Sequence, residues 1–179
     1  MCPELKVHGT VMEGVEQDTY LGDVISSDGK NRKNVEKRIS KGIGIITQIL
    51  NLLEILSFGK HYIEIALLLR ESMFINGVLF NAEVWYGLTR SEISEFEDLD
   101  RLLLRKTLES YYLELRIIPI SEIIRMRRIQ YLHHLVTRQE NEILYQFFIT
   151  QWTNPTRGNW TEKMKEDLEE LKIPKNGQC

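Results

Sequence analysis

The sequence predicts a mainly α-helical protein, with a short N-terminal β-hairpin or strand element followed by a bundle of about five to six helices. The spacing of apolar residues changes near Gly29, from alternation before it to a period of about 3.6 residues after it. Turn-forming residues then separate further segments with the helical spacing. A chain of 179 residues with 42% hydrophobic side chains is long enough for one ordinary core and too apolar to be disordered.

Residues 1–29 have the composition of short strands and turns. Apolar residues alternate with turn formers early in this segment: Leu5, Val7, Val11 and Val15. Gly9-Thr10 predicts a hairpin turn between the first strands. The β-branched and aromatic run over residues 20–26 predicts another strand, which the turn signal Ser27-Asp28-Gly29 ends.

A long amphipathic helix is predicted after Gly29. Its apolar face comprises Val35, Ile39, Ile43, Ile46, Leu50 and Leu53. Gly42 and Gly44 lie inside this helix, where each glycine costs about 1 kcal/mol relative to alanine. Close approach of another backbone would explain these glycines, and so would simple tolerance.

The remaining helices follow from periodicity and from their end signals. Residues 61–85 predict a central helix that is apolar on most faces, and Thr89-x-x-Glu92 is a capping box that begins the next one. The outer face of that third helix is predicted to carry Glu92, Glu95, Glu97, Asp98 and Asp100. Pro119 precedes a fourth helix. The last three helices are predicted at about residues 121–137, 140–152 and 161–171.

Several function classes are excluded by composition and spacing. Cys2 and Cys179 lie at opposite ends of the chain, which argues against a disulfide framework or a cysteine-based zinc site. The apolar stretch 63–85 contains four charged residues, so it predicts a buried helix rather than a membrane span. No signal peptide is recognisable, and we expect an intracellular protein. No residue spacing indicates a catalytic site, a metal site or a cofactor.

A basic stripe is predicted on the first helix. Residues 30–41 contain six basic residues and one acid. Lys30, Lys33, Lys37 and Lys41 are spaced by three, four and four residues, which places them on one helical face. Such a face can bind a phosphate backbone while the other side of the helix anchors it to the core. The alternative is a solvated helix surface rich in lysine.

A second basic cluster is predicted on the fourth helix. It contains Arg125, Arg127, Arg128 and Arg138, with Tyr131 and His134 between them. Guanidinium and aromatic groups together can hold phosphates and stack on bases. The alternative is that these arginines form ion pairs with the acidic third or sixth helix.

Eight short motifs occur in a characteristic order along the chain. They are Asp18-Thr19-Tyr20-Leu21-Gly22-Asp23-Val24-Ile25, Ser27-Asp28-Gly29-Lys30-Asn31, Arg38-Ile39 with Gly42-x-Gly44-Ile45, Glu83-Val84-Trp85-Tyr86-Gly87-Leu88, Asp100-Arg101-Leu102-Leu103-Leu104-Arg105, Tyr112-Leu113-Glu114-Leu115, Arg127-Arg128-Ile129-x-Tyr131-Leu132-His133 and Gln151-Trp152. In this order they resemble the C-terminal part of the reverse transcriptase of a LINE-type, non-LTR retrotransposon. The resemblance covers nearly the whole chain.

The resemblance implies a division of the chain into three parts. Residues 1–29 resemble the end of a polymerase palm, residues 30–110 resemble the helical thumb, and residues 111–179 resemble a C-terminal helical extension. Tyr20, Leu21 and Gly22 match the strand that borders the primer-grip region. The lysine stripe then lies where a thumb helix would face template–primer nucleic acid.

The resemblance also implies what this chain lacks. The polymerase carboxylates of the family lie upstream of the Tyr-Leu-Gly strand, and no Asp-Asp pair occurs in this sequence. We therefore expect a non-catalytic fragment whose partners are an RNA–DNA or DNA duplex and the palm and fingers of the parent polymerase. The alternative is a relic or repurposed helical protein-interaction domain that does not bind nucleic acid.

Overall fold

The computed structural model describes residues 6–7, 10–11, 14–56, 61–85, 87–108, 117–139, 142–154 and 160–171. In this part of the chain two short hairpins precede a helical bundle, which confirms the predicted fold class. The antiparallel pairs are β1 (Lys6–Val7) with β2 (Thr10–Val11) and β3 (Gln17–Tyr20) with β4 (Asp23–Ser26). The helices are α1 (Arg32–Leu56), α2 (Tyr62–Leu69), α3 (Asn76–Val78), α4 (Arg90–Leu108), α5 (Ile120–Val136), α6 (Ile143–Thr153) and α7 (Trp160–Glu170).

The β3–β4 hairpin corrects the prediction of a single strand over residues 20–26. Tyr20 pairs with Asp23, so Leu21 and Gly22 form a two-residue turn with φ values of 49° and 92°. Two-residue hairpin turns require such positive φ angles, which glycine adopts without strain. Likewise Thr10 pairs with Val7 in β2 instead of forming the predicted turn. Gly9 lies outside the described residues.

Helix α1 buries a face that differs from the one its periodicity predicted and includes further residues. Val35, Ile46 and Leu53 are buried as expected, but Ile43 is 54% exposed, which corrects its assignment to the apolar face. Ile45 and Ile49 are buried in addition. The buried stripe passes through Gly42 because neighbouring side chains come close to the helix at that position.

Gly42 and Gly77 allow α1 to lie close to α3 and α4. A Cβ on Gly42 would be 2.5 Å from Leu99 Cδ2 and 3.0 Å from Val78 Cγ2, and one on Gly77 would be 2.5 Å from Ile45 Cδ1. Side chains, rather than another backbone, therefore explain Gly42. A Cβ on Gly44 would meet nothing within 4 Å.

The helix predicted over residues 61–85 is interrupted. After α2 the chain continues through a π-helical turn, Arg70–Ile75, and α3 ends at Val78. Asn81 adopts the left-handed conformation, with φ 60° and ψ 19°, before the 3₁₀ turn Ala82–Val84. Asparagine tolerates this conformation better than most residues, and its position ends the helix earlier than the apolar pattern suggests.

The capping box of α4 is confirmed. The backbone N–H of Glu92 donates to Thr89 Oγ1 at 3.2 Å, and the Thr89 N–H donates to Glu92 Oε2 at 2.9 Å. The predicted acidic outer face is wrong for two of its members, because Glu92 and Asp100 are only 7% and 5% exposed. The cap and an internal ion pair hold these two carboxylates inward.

One apolar cluster is shared by α1 to α5. Val35 of α1, Phe74 of the π-helical turn, Phe96 of α4 and Ile124 of α5 all belong to it. A smaller aromatic contact region joins the last helices, where Tyr131 meets Trp160 edge-on at 5.6 Å. Among the helices described, none is both long and apolar enough to cross a membrane.

Candidate nucleic-acid interface

Three arginines, Arg38, Arg70 and Arg128, are buried against aspartates distant in sequence. Arg70 donates to Asp100 through Nε at 2.7 Å and through Nη2 at 2.6 Å, and both side chains are 7% exposed. This bidentate pair joins the π-helical turn to α4. Burial of both charges makes the pair structural, because removal of either partner would leave an uncompensated charge in the core.

Arg38 of α1 forms an ion pair with the β3–β4 hairpin. Its Nη2 lies 2.5 Å from Asp23 Oδ1, and Asn81 Nδ2 donates to the other oxygen of Asp23 at 3.0 Å. The guanidinium carbon also lies 5.4 Å from the ring centre of Phe80 and 5.9 Å from that of Trp85. One carboxylate therefore joins the hairpin, α1 and the turn after α3.

Arg125 and Arg128, which the sequence predicts to contact nucleic acid, both contact carboxylates of the bundle. Arg128 is 4% exposed, and its Nε donates to Asp167 of α7 at 2.7 Å. Arg125 bonds to Glu122 at 2.9 Å and contacts Glu170 of α7. Both arginines form the ion pairs with the acidic last helix that the sequence left open as the alternative.

Arg127 has a different structural contact. Its Nη1 donates to the carbonyl oxygen of Leu79, and its Nη2 donates to Asn76 Oδ1 at 2.8 Å. The positive charge of Arg127 therefore lies at the C-terminal end of α3, where a cation stabilises the last carbonyl groups of a helix. These two hydrogen bonds connect Arg127 of α5 to the end of α3.

The lysines of α1 are in a different environment from the arginines of α5. Lys33, Lys37 and Lys41 are exposed, and we call them the lysine row. Within the described ranges, none of the three has a carboxylate partner at salt-bridge distance. Neighbouring Arg32, by comparison, bonds to Glu95 and Glu36, and these hydrogen bonds raise the pKa of Arg32.

Lys30 is not part of the helical face on which it was predicted. It precedes α1, and its backbone N–H donates to Asp28 Oδ1 at 3.0 Å. That bond lowers the pKa of Asp28, with smaller contributions from the Ser26 hydroxyl and from the charges of Lys30 and Lys33. The ionised Asp28 thus lies beside the N-terminal end of the lysine row.

The primer-grip-like residues lie at an exposed hairpin tip. Tyr20 and Leu21 are 64% and 70% exposed, and both line a cavity of about 740 Å³. Lys30, Tyr131 and Leu144 line the same cavity. The structure therefore brings the hairpin tip close to α5 and α6, a proximity that no sequence pattern indicated.

The exposed face of α1 extends beyond the lysine row, and the charge pattern did not indicate this extension. Gly44, Gln48 and Asn51 are exposed and follow Lys41 at intervals of three, four and three residues. Those intervals keep all of them on one side of a helix. The regular spacing of polar residues was the available signal.

The described residues contain no cluster of three or more histidine, cysteine or acidic side chains that could hold a metal ion. The Tyr112-Leu113-Glu114-Leu115 motif lies outside the residues that the structure describes. Comparisons of the chain with protein-family models, curated proteins and solved structures found no match. The features of this chain that bear on function are the exposed lysine row of α1 and the order of the sequence motifs.

Proposed function

We propose that this chain is a thumb-like, non-catalytic part of a LINE-type reverse transcriptase, and that the lysine row holds a template–primer duplex. The observation that carries the proposal is the exposure of Lys33, Lys37 and Lys41, none of which has a carboxylate at salt-bridge distance among the described residues. The order of the sequence motifs supplies the polymerase context.

The geometry of α1 suits a phosphate backbone. At 1.5 Å per residue, the lysine row spans about 12 Å along the helix axis. Each strand of a duplex carries one phosphate charge per about 3.4 Å of its own axis. Lysine side chains are flexible point charges, so they can meet phosphates at this spacing without reading base sequence. The opposite side of α1 is anchored in the core through Val35 and Ile49.

Fluorescence anisotropy with a labelled 20-base-pair RNA–DNA hybrid tests the lysine row. Three phosphate contacts predict a slope of roughly −3 for log K against log salt concentration. The triple variant Lys33→Gln/Lys37→Gln/Lys41→Gln is expected to lose most of that slope and most of the affinity at low salt.

A matched control removes the same amount of charge from other elements. Arg105→Gln, Lys106→Gln and Lys163→Gln change exposed or partly exposed cations of α4 and α7. This control variant should keep near-wild-type affinity. Equal binding by the two triple variants would contradict the assignment to α1.

The second candidate function is a helical protein-interaction domain without nucleic-acid binding. The exposed apolar residues around the cavity, among them Tyr20, Leu21 and Leu144, favour it, as does the net charge of −3. Absence of duplex binding at low salt would support this candidate. A primer-extension assay with Mg²⁺ should give no product under either function, since the polymerase carboxylates would belong to the parent palm.

A further inference from the structure

The cavity beside the tip of the β3–β4 hairpin is formed by the hairpin, the start of α1, the 3₁₀ turn, α5 and α6. Its volume of about 740 Å³ lies in the range of small-molecule sites. Aromatic and aliphatic side chains supply much of its lining, among them Tyr20, Val24, Trp85, Tyr131 and Leu144. The cavity is therefore large and apolar enough to hold the ring system of a small organic molecule.

Trp85 adds an unpaired donor to this lining. Its side chain is 3% exposed, and its Nε1 has no hydrogen-bond partner among the described residues. By contrast, Nε1 of Trp160 donates to the carbonyl oxygen of Glu83 at 2.6 Å. The Trp85 ring lies 5.8 Å from the Phe96 ring and 5.9 Å from the Arg38 guanidinium carbon, so the core holds it in place. Buried donors are nearly always hydrogen-bonded in native proteins, and an acceptor on a bound molecule would complete this one.

The polar groups at the α1 end of the cavity favour an anion. Lys30 lines the cavity, and its ammonium group has no carboxylate at salt-bridge distance among the described residues, since Asp28 accepts its backbone N–H. Helix α1 has no acidic residue in its first turn, so the positive end of its dipole has no counter-charge there. Asn34 also lines the cavity, and its Oδ1 accepts from the Val24 N–H at 3.2 Å, which leaves its amide nitrogen as a donor.

Two carboxylates belong to the same lining, Asp23 and Glu83. Both oxygens of Asp23 are already bound, one by Arg38 at 2.5 Å and the other by Asn81 at 3.0 Å. Glu83 also lines a neighbouring depression together with Arg127, which places it toward α5. The cations and donors of the α1 end are thus separate from the one carboxylate that these contacts leave over.

We propose that this cavity binds a small aromatic carboxylate. The ring of the ligand packs against Tyr20 and Leu144, between the hairpin tip and α6. Its carboxylate accepts the N–H of Trp85, and Lys30 balances its charge at the α1 end. The site is independent of the lysine row, so the failure of one proposal leaves the other intact.

The probe for this site is 2-naphthoate. Naphthalene-2-carboxamide, which has the same rings and a carbonyl oxygen but no charge, is its control. Binding is followed by proton–nitrogen correlation NMR, in which the three tryptophans give three indole N–H signals. We expect 2-naphthoate to bind with a Kd below about 1 mM and to shift the Trp85 signal.

Two variants test the polar groups separately. Trp85→Phe keeps an aromatic ring but removes the donor, so it should weaken the binding of both probes at least about fivefold. The unchanged positions of the other two indole signals would show that this variant folds. Lys30→Gln should weaken 2-naphthoate about threefold and leave the amide unaffected, because only the carboxylate carries a charge.

Leu144→Glu and Ile143→Glu are a matched pair on α6. Leu144 lines the cavity, whereas its neighbour Ile143 is 83% exposed and is not among the described lining residues. Leu144→Glu places a second carboxylate beside the bound one and should weaken 2-naphthoate at least about fivefold. Ile143→Glu should bind like the wild type. Equal binding by these two variants, or a Trp85 signal that does not move, overturns the inference, and equal wild-type affinities for the two probes overturn the assignment to a carboxylate.

Discussion

Gly42→Ala measures how closely α1 packs on α3 and α4. The added methyl group would lie 2.5 Å from Leu99 Cδ2 and 3.0 Å from Val78 Cγ2, so these buried side chains must shift. Overpacking of a core costs about 1–3 kcal/mol, and the gain in helix propensity returns about 1 kcal/mol. We therefore expect a net loss in the free energy of unfolding of up to about 2 kcal/mol.

Gly44→Ala is the natural reference, because the two variants have the same composition and both substitutions lie within α1. At Gly44 the methyl group meets nothing within 4 Å, so the same gain of about 1 kcal/mol is not offset. The difference between the two free energies of unfolding isolates the packing cost at Gly42, about 1–3 kcal/mol. Urea denaturation followed by far-UV circular dichroism measures both values.

Equal stability of the two variants would refute the close packing described for Gly42. A double-mutant cycle strengthens the test. Leu99→Ala removes the nearest obstacle, and its own cost is expected at about 2–5 kcal/mol. In the Leu99→Ala background, Gly42→Ala should lose most of its penalty, with a coupling energy of at least about 0.5 kcal/mol.

Two further predictions concern polar contacts of α4. Asp100→Ala leaves the buried guanidinium of Arg70 without its partner, and we expect a loss of about 3–5 kcal/mol in urea denaturation. Asp100→Leu with Arg70→Met removes both charges and should recover most of that loss, whereas no recovery would contradict a cost due to an uncompensated charge. Thr89→Ala removes the side-chain half of the capping box and should cost about 1 kcal/mol. Thr89→Ser keeps the hydroxyl and should be close to wild type.

Local signals in the sequence predicted the helices well. The capping box at Thr89 and Glu92, the proline before α5 and the periodicity of α7 each depend on residues within a few positions of one another. Such signals act through backbone hydrogen bonds and side-chain spacing, which the chain determines locally. The mainly α fold with an N-terminal β element followed directly from them.

The predictions from local signals were wrong where contacts with another element determined a helix end or a buried face. The apolar pattern predicted a helix as far as residue 85, but Asn81 turns the chain and bonds to Asp23 of the hairpin. The apolar stripe of α1 was expected through Ile43, yet the contact with Leu99 turns Gly42 toward the core. Periodicity indicates that a buried face exists, but the partner decides which residues occupy it.

For the candidate nucleic-acid interface too, the sequence and the tertiary structure each determined a different part. From charge spacing alone, the lysines of α1 and the arginines of α5 each allowed either a nucleic-acid surface or a structural role. Tertiary structure separated them, because Arg128 pairs with Asp167 at 2.7 Å while Lys33, Lys37 and Lys41 remain exposed. Only the three-dimensional arrangement distinguishes a structural arginine from an exposed lysine.

The sequence by itself determined the helical class, most helix ends and the position of a basic face on α1. Tertiary structure alone decided the long-range ion pairs, in which the partners are 30 residues apart for Arg70 with Asp100 and 39 apart for Arg128 with Asp167. The physical reason is that a charge can be buried only where the fold supplies its counter-charge. Composition shows that counter-charges exist, but not which of them the packed helices bring within hydrogen-bonding distance.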